Sequence, residues 1–518
     1  MTGSVDAVVI GAGHNGLVAA NLLADAGWDV LVLEQEPDFG GAVRSAELFD
    51  GFQTDLFSAN YPLAPVSPVL RGLDLGDFGL RWAYAPTVLA SARTPADGVG
   101  LYPDPQQTAD ELGRHHRADA KAWLELLAHW RRVRDPLLQI GIGGMHPIRE
   151  AVRLLRAEGV PELTRLVRFL TLPADTMARE LFRSEHARLL LLGNCGHGDL
   201  AVNAPLSGVT GWLLTMLAQD TGFPCPVGGA GELTKALVAR ARAAGAELRC
   251  NVTVSGLEVR AGRVSAVRTA DGATIAVRRA VIANTSAPTL YRSLLPADAV
   301  PDRVQRDLRH FTPDSAVVKV NYAVSQPIPW LAPELRGAGT VHLGADERGL
   351  LRWGAELACG AIPARPFMLF GQMTTCDPTR SPTGTESAWA YTLMPHGVTD
   401  DDSAELLAKN IDAVIEAHAP GFANALVGRN VQRPSDMTAI GTRIGGTMAL
   451  HQQAIFRPLP GLGGPETCVR NLYLGSSAAH PGGAVHGACG AFAARAALRQ
   501  NGIRGRARRR LYTVIAGR

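Results

Sequence analysis

An α/β fold, with a Rossmann-type nucleotide-binding domain joined to a second domain of antiparallel sheet under a helical cap, is predicted by three observations. Residues 5–10 form an apolar run that enters Gly11-Ala12-Gly13-His14-Asn15-Gly16 and then an apolar-periodic stretch to 26, the pattern of strand, glycine turn and helix. A similar order recurs near the C-terminus, where residues 471–476 pass through a second glycine-rich stretch into a helical pattern at 488–498. Between them, apolar alternation at 317–324, 367–373 and 387–393 marks strands of a different sheet.

In the first turn, Gly11 permits the bend, Gly13 lets the backbone approach a pyrophosphate, and Gly16 lets helix and strand pack closely. The helix N-terminus, at His14 and Asn15, supplies amide donors and a positive dipole end. A second strand at 28–33 ends in Glu34, an acid placed to accept a ribose hydroxyl. Such a motif serves NAD and FAD alike. The residues that follow select FAD: Gly40-Gly41, then Arg44 and Ser45, resemble the second glycine pair of FAD-dependent oxidases and desaturases. In those proteins an arginine follows the pair directly, whereas here Ala42 and Val43 intervene, and a surface-loop glycine pair is the alternative.

Composition limits the partners. A chain of 518 residues should hold more than one core, and 46% hydrophobic with 19% charged residues is ordinary for a soluble protein. A net charge of +3 provides no field for nucleic acid, and no nucleic-acid motif is visible, so a small molecule is the expected partner. The first strand begins too early for a secretory signal, which predicts a cytoplasmic protein. Seven cysteines (195, 225, 250, 359, 376, 468 and 489) show no close spacing, which argues against a disulfide framework, a zinc site and a redox dithiol. The longest uncharged run, 200–219, contains Asn203, Pro205, Gly208 and Gly211 and reads as core or cavity lining rather than a membrane span.

Taken in order, Phe49-Asp50-Gly51-Phe52 is a turn between short extended pieces, and 56–69 is a loop leaving the nucleotide domain. Strands are expected at 80–84 and 87–91. Asp104-Pro105 offers an N-cap with proline at the first helical position, and 106–184 is helical, a cap over a substrate site or a plain bundle. The chain re-enters the nucleotide domain near Phe223 with a helix at 233–243. Strands at 247–250, 252–260, 263–269, 274–277 and 279–283 follow, the last ending in Asn284, a cofactor-binding candidate. An amphipathic helix at 403–418 stops before Pro420.

GAGHNGLVAANLLADAGWDVLVLE at the start, VGGAGELTKALVARARAAGAELR in the middle and LYLGSSAAHPGGAVHGACGAFAARAAL at the end resemble the phytoene desaturase-like flavoproteins, which include carotenoid desaturases and retinol saturase. Ile444-Gly445-Gly446 with His451 resembles a further segment of that family. The resemblance implies a two-dinucleotide-binding-domain flavoprotein with one FAD bound non-covalently. It assigns 1–75, 222–300 and 440–518 to the FAD domain, and 76–221 and 301–439 to the substrate domain. It places Val252 where the main chain meets the adenine, and Gly475, Ser476, Gly482, Gly483, Ala484 and Val485 at the flavin-ring end. Ala484 stands where the family has a third glycine, Ala479 where it has a threonine, and His486 is an unusual occupant.

With a single dinucleotide fingerprint, electrons taken from a substrate must leave to oxygen, a quinone or another diffusible acceptor, or return to the same molecule. The resemblance implies dehydrogenation of a largely apolar molecule with hydride passing to flavin N5. A redox-neutral isomerase or saturase is the second class and a flavin-bearing assembly protein the third. His480 and His486 flank Pro481-Gly482-Gly483 and are the catalytic candidates, set against helix capping and loop packing. Asp436 and His451 are lesser candidates, and Asn194, His197 and Asp199 form a polar group that lines a cavity or satisfies a loop. Glu232 and Lys235 read as surface charge, and Trp389, Tyr391 and Leu393 as cavity wall or core. No metal site is expected, and the sequence leaves the oligomeric state open. The basic end, Arg504, Arg506, Arg508, Arg509 and Arg510, is a solvated tail or a peripheral contact with anionic lipid.

Overall fold

Ser4–Ile10 is buried along most of its length because a strand lies on either side of it and helices cover the sheet. The computed structural model describes residues 3–143, 147–439 and 445–500. Ser4–Ile10 pairs in parallel with Val30–Leu33 and with Thr274–Ala283; Val30–Leu33 pairs with Glu247–Arg249, and Thr274–Ala283 with Leu472–Leu474. The first half of Thr274–Ala283 also pairs antiparallel with Arg263–Thr269, which continues to Val254–Arg260. Thr274–Ala283 is thus one strand, where sequence suggested two. A register shift between Val5 and Ala7 absorbs the irregularity, and Arg278 Nε donates to Asp6 Oδ1 at 2.9 Å beside it.

Helix His14–Asp25 packs between Ala230–Ala243 and Ala488–Gln500, so the first and last glycine turns open on the same end of the sheet. The hairpin Ser45–Phe49 and Phe52–Asp55 follows the second glycine pair.

A second sheet has the order Leu426–Gln432, Val317–Val324, Glu386–Leu393, Met368–Gln372, Ala338–Leu343, Thr87–Thr94 and Asp97–Leu101. It is mixed rather than wholly antiparallel, because Ala338–Leu343 runs parallel to Thr87–Thr94. Three of its strands, at 97–101, 338–343 and 426–432, lack clear apolar alternation, since each carries glycine and the first and last are the edges of the sheet. Trp389 and Leu393 are core residues, with Trp389 and Tyr391 stacked at 5.8 Å.

Among the described residues, six α-helices lie between Pro105 and Thr221, and Glu185–Cys195 and Ser207–Thr221 pack on the Thr87–Thr94 strand of this sheet. Asp104 caps the first of the six by accepting the Gln106 N–H at 2.9 Å. Trp212 fixes their packing edge-on against Trp130 and Phe169, each 5.3 Å away. The uncharged run at 200–219 supplies most of helix Ser207–Thr221, with Trp212, Met216 and Leu217 buried. Among the described residues, no helix is long and apolar enough to cross a membrane.

Candidate active site

The two N-terminal glycine turns form one cradle. Gly11 has φ +89°, and a Cβ on Gly16 would fall 2.1 Å from the Gly11 carbonyl oxygen, so helix and turn pack with no room for a side chain. The Gly40 N–H donates to the Ala12 carbonyl at 2.9 Å, and a Cβ on Gly41 would lie 3.2 Å from the Gly13 Cα. The second pair is therefore built against the first turn. No side chain caps helix His14–Asp25 and no acid lies in its first turn, which leaves its amide donors and dipole open to an anion.

Around the cradle, buried polar atoms lack partners in the protein: His14 Nε2, Asn15 Oδ1 and Asn284 Oδ1. Asn284 Nδ2 donates to the Gly11 carbonyl at 3.3 Å. His14 donates to the Ala484 carbonyl, and burial pushes its imidazole down to about 4. Its Nε2 is then a neutral acceptor, suited to a hydroxyl rather than to a phosphate oxygen. Unsatisfied buried groups of this kind, beside a glycine-lined approach, fit a bound dinucleotide.

Glu34 is buried, with Oε2 accepting the Ala12 N–H at 2.7 Å and Oε1 accepting the Glu36 N–H at 3.1 Å. A carboxylate held this way keeps lone pairs for a ribose hydroxyl. Four other expected cofactor-binding residues have partners within the protein. The Val252 N–H donates to the Glu34 carbonyl at 2.8 Å, so it is not available to an adenine. Ser45 Oγ donates to Asp55 Oδ1 at 2.7 Å and accepts the Gly231 N–H at 3.0 Å. Ser476 Oγ donates to the Thr285 carbonyl at 2.6 Å. Arg44 Nε donates to the Gly41 carbonyl at 3.0 Å and its guanidinium lies 5.6 Å from the Phe57 ring, so it braces the second turn.

At the other end, the Gly475 N–H donates to the Ala283 carbonyl at 2.8 Å, continuing the parallel sheet into the 475–487 turn. Gly482 has φ +109° and Ala484 φ +98°, which explains why a glycine suits position 484 and makes the alanine a strained substitute. Gly483, Ala484 and Val485 are at least partly exposed and line the open side of the turn. His486 is not a free base: Nδ1 accepts the Ala488 N–H at 3.0 Å, the ring bonds to the Gly483 backbone, and burial holds the group down to about 3. It caps the last helix. His480 differs, since its Nδ1 is buried without a partner and its ring stacks on Phe492 at 6.3 Å. Burial and the Arg457 charge lower its pKa, so the neutral, proton-accepting form prevails at neutral pH.

Arg457, which no sequence motif singled out, is 1% exposed. Nε donates to the Ser477 carbonyl at 3.0 Å, Nη1 to Thr447 and Gln452 at 3.0 and 3.3 Å, and Nη2 to Gly446 at 2.7 Å. Among the described residues no carboxylate forms an ion pair with it, and a Cβ on Gly482 would sit 3.1 Å from its Cζ. Its hydrogen bonds go to carbonyls, and the Asp314 and Asp199 charges, acting from further away, offset part of the cost of burying it. Leu450, His451 and Phe456 line an open depression of about 460 Å³ in the same segment. Met448, Leu450, Ile455 and Phe456 leave apolar surface exposed around it.

A second polar group ties the 45–55 hairpin to the second sheet. Asp55 pairs with Arg380, both fully buried, and Lys319 donates to the Asp55 carbonyl and to Asn321 Oδ1 at 2.8 Å. Burial pushes Lys319 down to about 7, against the opposing pull of the Asp55 charge. A lysine and an asparagine on the same face of VVKVNYAV are the signal that could have revealed it.

Of the lesser candidates, His197 Nε2 lies 3.0 Å from His342 Nε2, and His342 Nδ1 lies 3.0 Å from Ser91 Oγ. Asp199 Oδ1 accepts the Met448 N–H at 2.8 Å while its Oδ2 has no partner. Asn194 Nδ2 donates to the Leu190 carbonyl and to Thr215 Oγ1 while its buried Oδ1 has no partner, and Asp436 accepts from Arg433. Glu232 and Lys235 form a surface pair. Ile444 and the basic end at 504–510 lie outside the described residues.

Comparison with known proteins gives this geometry its context. Residues 9–72 match the NAD(P)-binding Rossmann-like domain and residues 143–496 the flavin containing amine oxidoreductase family. A rat protein called pyridine nucleotide-disulfide oxidoreductase domain-containing protein 2 is 28% identical, over 95% of this chain and 93% of its own length. A phytoene desaturase (lycopene-forming) of Pseudescherichia vulneris is 25% identical, over 95% of this chain and 98% of its own. Among solved structures, an oxidoreductase from Methanosarcina mazei has the same fold, with a TM-score of 0.63 at 16% identity, covering 95% of this chain and 99% of that one. The chain belongs to the flavin containing amine oxidoreductase family and is a phytoene desaturase-like, FAD-dependent oxidoreductase.

Proposed function

We propose that the protein dehydrogenates a largely apolar small molecule and passes the electrons to oxygen, a quinone or another diffusible acceptor. The observation that carries this reading is the open apolar depression lined by Leu450, His451 and Phe456. Its walls and rim come from the segment whose Gly446, Thr447 and Gln452 carbonyls hold Arg457 against Gly482. Exposed apolar surface around an open depression is what a hydrophobic ligand would cover. A relative named as a phytoene desaturase supports desaturation as the reaction.

FAD, when bound, supplies N5 as the hydride acceptor. The chain provides the rest. Gly11, Gly13, Gly40 and Gly41 bring backbone to the pyrophosphate, and the open N-terminus of helix His14–Asp25 faces its charge. Arg457 holds a permanent positive charge at the ring end, where the N-terminus of helix Ala488–Gln500 adds a dipole of the same sign. Both favour negative charge on a reduced ring. His480, neutral and unpartnered at Nδ1, accepts the proton from the carbon next to the one that loses hydride. His486 takes no proton and orders the helix start.

The test is anaerobic mixing of the holoenzyme with a panel of apolar isoprenoids and polyenes, and separately with polar amines, while flavin absorbance is followed. Bleaching by an apolar compound with a new double bond in the product is expected. Bleaching by amines alone would sink the reading, and product formed without net oxidation would move the enzyme to the isomerase class.

A further inference from the structure

The cysteines read as scattered in the sequence are not all scattered in space. Cys225, on Cys225–Pro226, and Cys376, at the end of helix Met373–Cys376, are both buried, 151 residues apart, with their sulfurs 3.1 Å from each other. That is about 1 Å longer than an S–S bond. We propose that Cys225 and Cys376 are a redox-active dithiol, oxidised by a small peroxide to a disulfide that staples the 222–243 segment to the second sheet.

The surroundings divide the roles of the two sulfurs. Cys225 donates its S–H to Cys376, and Arg380 lies close enough for its charge to act on both. Those two influences lower the pKa of Cys376, while burial and the shared proton raise that of Cys225. Cys376, whose own S–H faces the Ala83 carbonyl at 3.6 Å, therefore gives up its proton the more readily of the two and is the attacking sulfur, with Cys225 the resolving thiol. The Cys376 thiolate displaces hydroxide from the peroxide, breaking the O–O bond and forming a sulfenic acid. The Cys225 sulfur then attacks that sulfur, the S–O bond breaks, and the leaving hydroxide takes the thiol proton as water. In sum, two thiols lose two electrons and two protons, and one peroxide becomes two waters.

Burial selects the oxidant. Cys225 is fully buried and Cys376 nearly so, which is why the oxidant proposed is as small as a peroxide, whereas a bulky disulfide such as oxidised glutathione cannot align with either sulfur in the folded protein. The position gives the bond a consequence. Asp377, next to Cys376, accepts the Gly228 N–H at 2.7 Å, and Arg380 pairs with Asp55, so the disulfide would lock a junction that polar contacts already hold.

The test is peptide mapping of the folded, FAD-loaded protein after treatment with hydrogen peroxide, oxidised glutathione or dithiothreitol, with free thiols alkylated before digestion. Peroxide should yield the cross-linked 225–376 peptide pair, dithiothreitol should remove it, and glutathione should leave both sulfurs free. The oxidised protein should also melt higher than the reduced one, as closing a long loop constrains the unfolded chain. In Cys225→Ser, Cys376 should pass on to the sulfinic acid for want of a resolving thiol. The proposal is overturned if peroxide modifies exposed Cys359 but leaves 225 and 376 alkylatable, or if wild-type Cys376 is over-oxidised without any cross-link.

Discussion

Gly490, in the first turn of the last helix, faces the Asn15 carbonyl so closely that a Cβ there would fall 1.8 Å from the oxygen. Two helix N-termini distant in sequence are thereby pressed together at the mouth of the nucleotide cradle. Gly490→Ala cannot be accommodated without parting the helices, so it should cost about 1–3 kcal/mol as an overpacking change and displace the Asn15 turn. The expected outcome is a lower melting temperature with a reduced flavin-to-protein ratio. Parental values for both would mean the two helices do not depend on this contact.

Gly13→Val should abolish FAD binding, because a side chain there meets Asn284 Nδ2, 3.0 Å from the built Cβ, and fills the approach to the pyrophosphate. Glu34→Ala should weaken binding less, since the Ala12 and Glu36 amides lose an acceptor but the glycine path stays open. Flavin content after purification reads both. Denaturing the wild-type protein should free the FAD into the supernatant, and yellow colour on the precipitate would contradict non-covalent binding.

The two histidines around Gly482 and Gly483 should separate cleanly. His486→Ala removes the acceptor for the Ala488 N–H and should cost roughly 1 kcal/mol, the usual worth of an N-cap, with little change in flavin reduction once FAD is restored. His480→Ala should leave FAD occupancy intact and slow anaerobic reduction by about 10²–10⁴-fold, the range for a general base. Equal reduction rates in His480→Ala and the parent would leave the proton to solvent or to the substrate.

Much of this was legible because it is local. The Gly11 to Gly16 turn, the Asp104 cap and the hairpin at Gly51 depend on neighbours in sequence, and each stands where local rules put it. What stayed hidden depends on distant packing. Arg457 is held by carbonyls from residues 446 to 477, and Cys225 meets Cys376 only because the Trp82–Ala83 and Cys225–Pro226 ribbon lies against the second sheet. Ser45 is a cofactor-binding candidate by its place after the glycine pair. Its hydroxyl instead serves Asp55, ten residues on, which no spacing rule announces.

Lys319 allows a prediction about pH whose sign is fixed by burial. In the folded protein the ammonium titrates at about 7, below its ordinary 10.5, because burial disfavours the charge more than Asp55 restores it, and the Arg380 charge opposes it further. Above the ordinary value the amine is neutral in both folded and unfolded chains and costs nothing. As pH falls from about 10 towards 7, the unfolded chain binds a proton that the folded chain refuses, so folding is progressively penalised. Below 7 both states are charged and the penalty stays constant at its full size. Lys319→Met removes the titration while keeping a long apolar stem beside Trp389, whose ring lies 5.9 Å from the amine. Relative to that variant, wild type should therefore gain stability as pH rises from 7 to 10 and show no relative change between 5 and 6. Urea unfolding of both proteins across that range gives the difference directly, and other titrating groups cancel because both chains share them. A difference that stays constant from pH 7 to 10 would mean that Lys319 keeps its ordinary pKa and is solvated in the folded state.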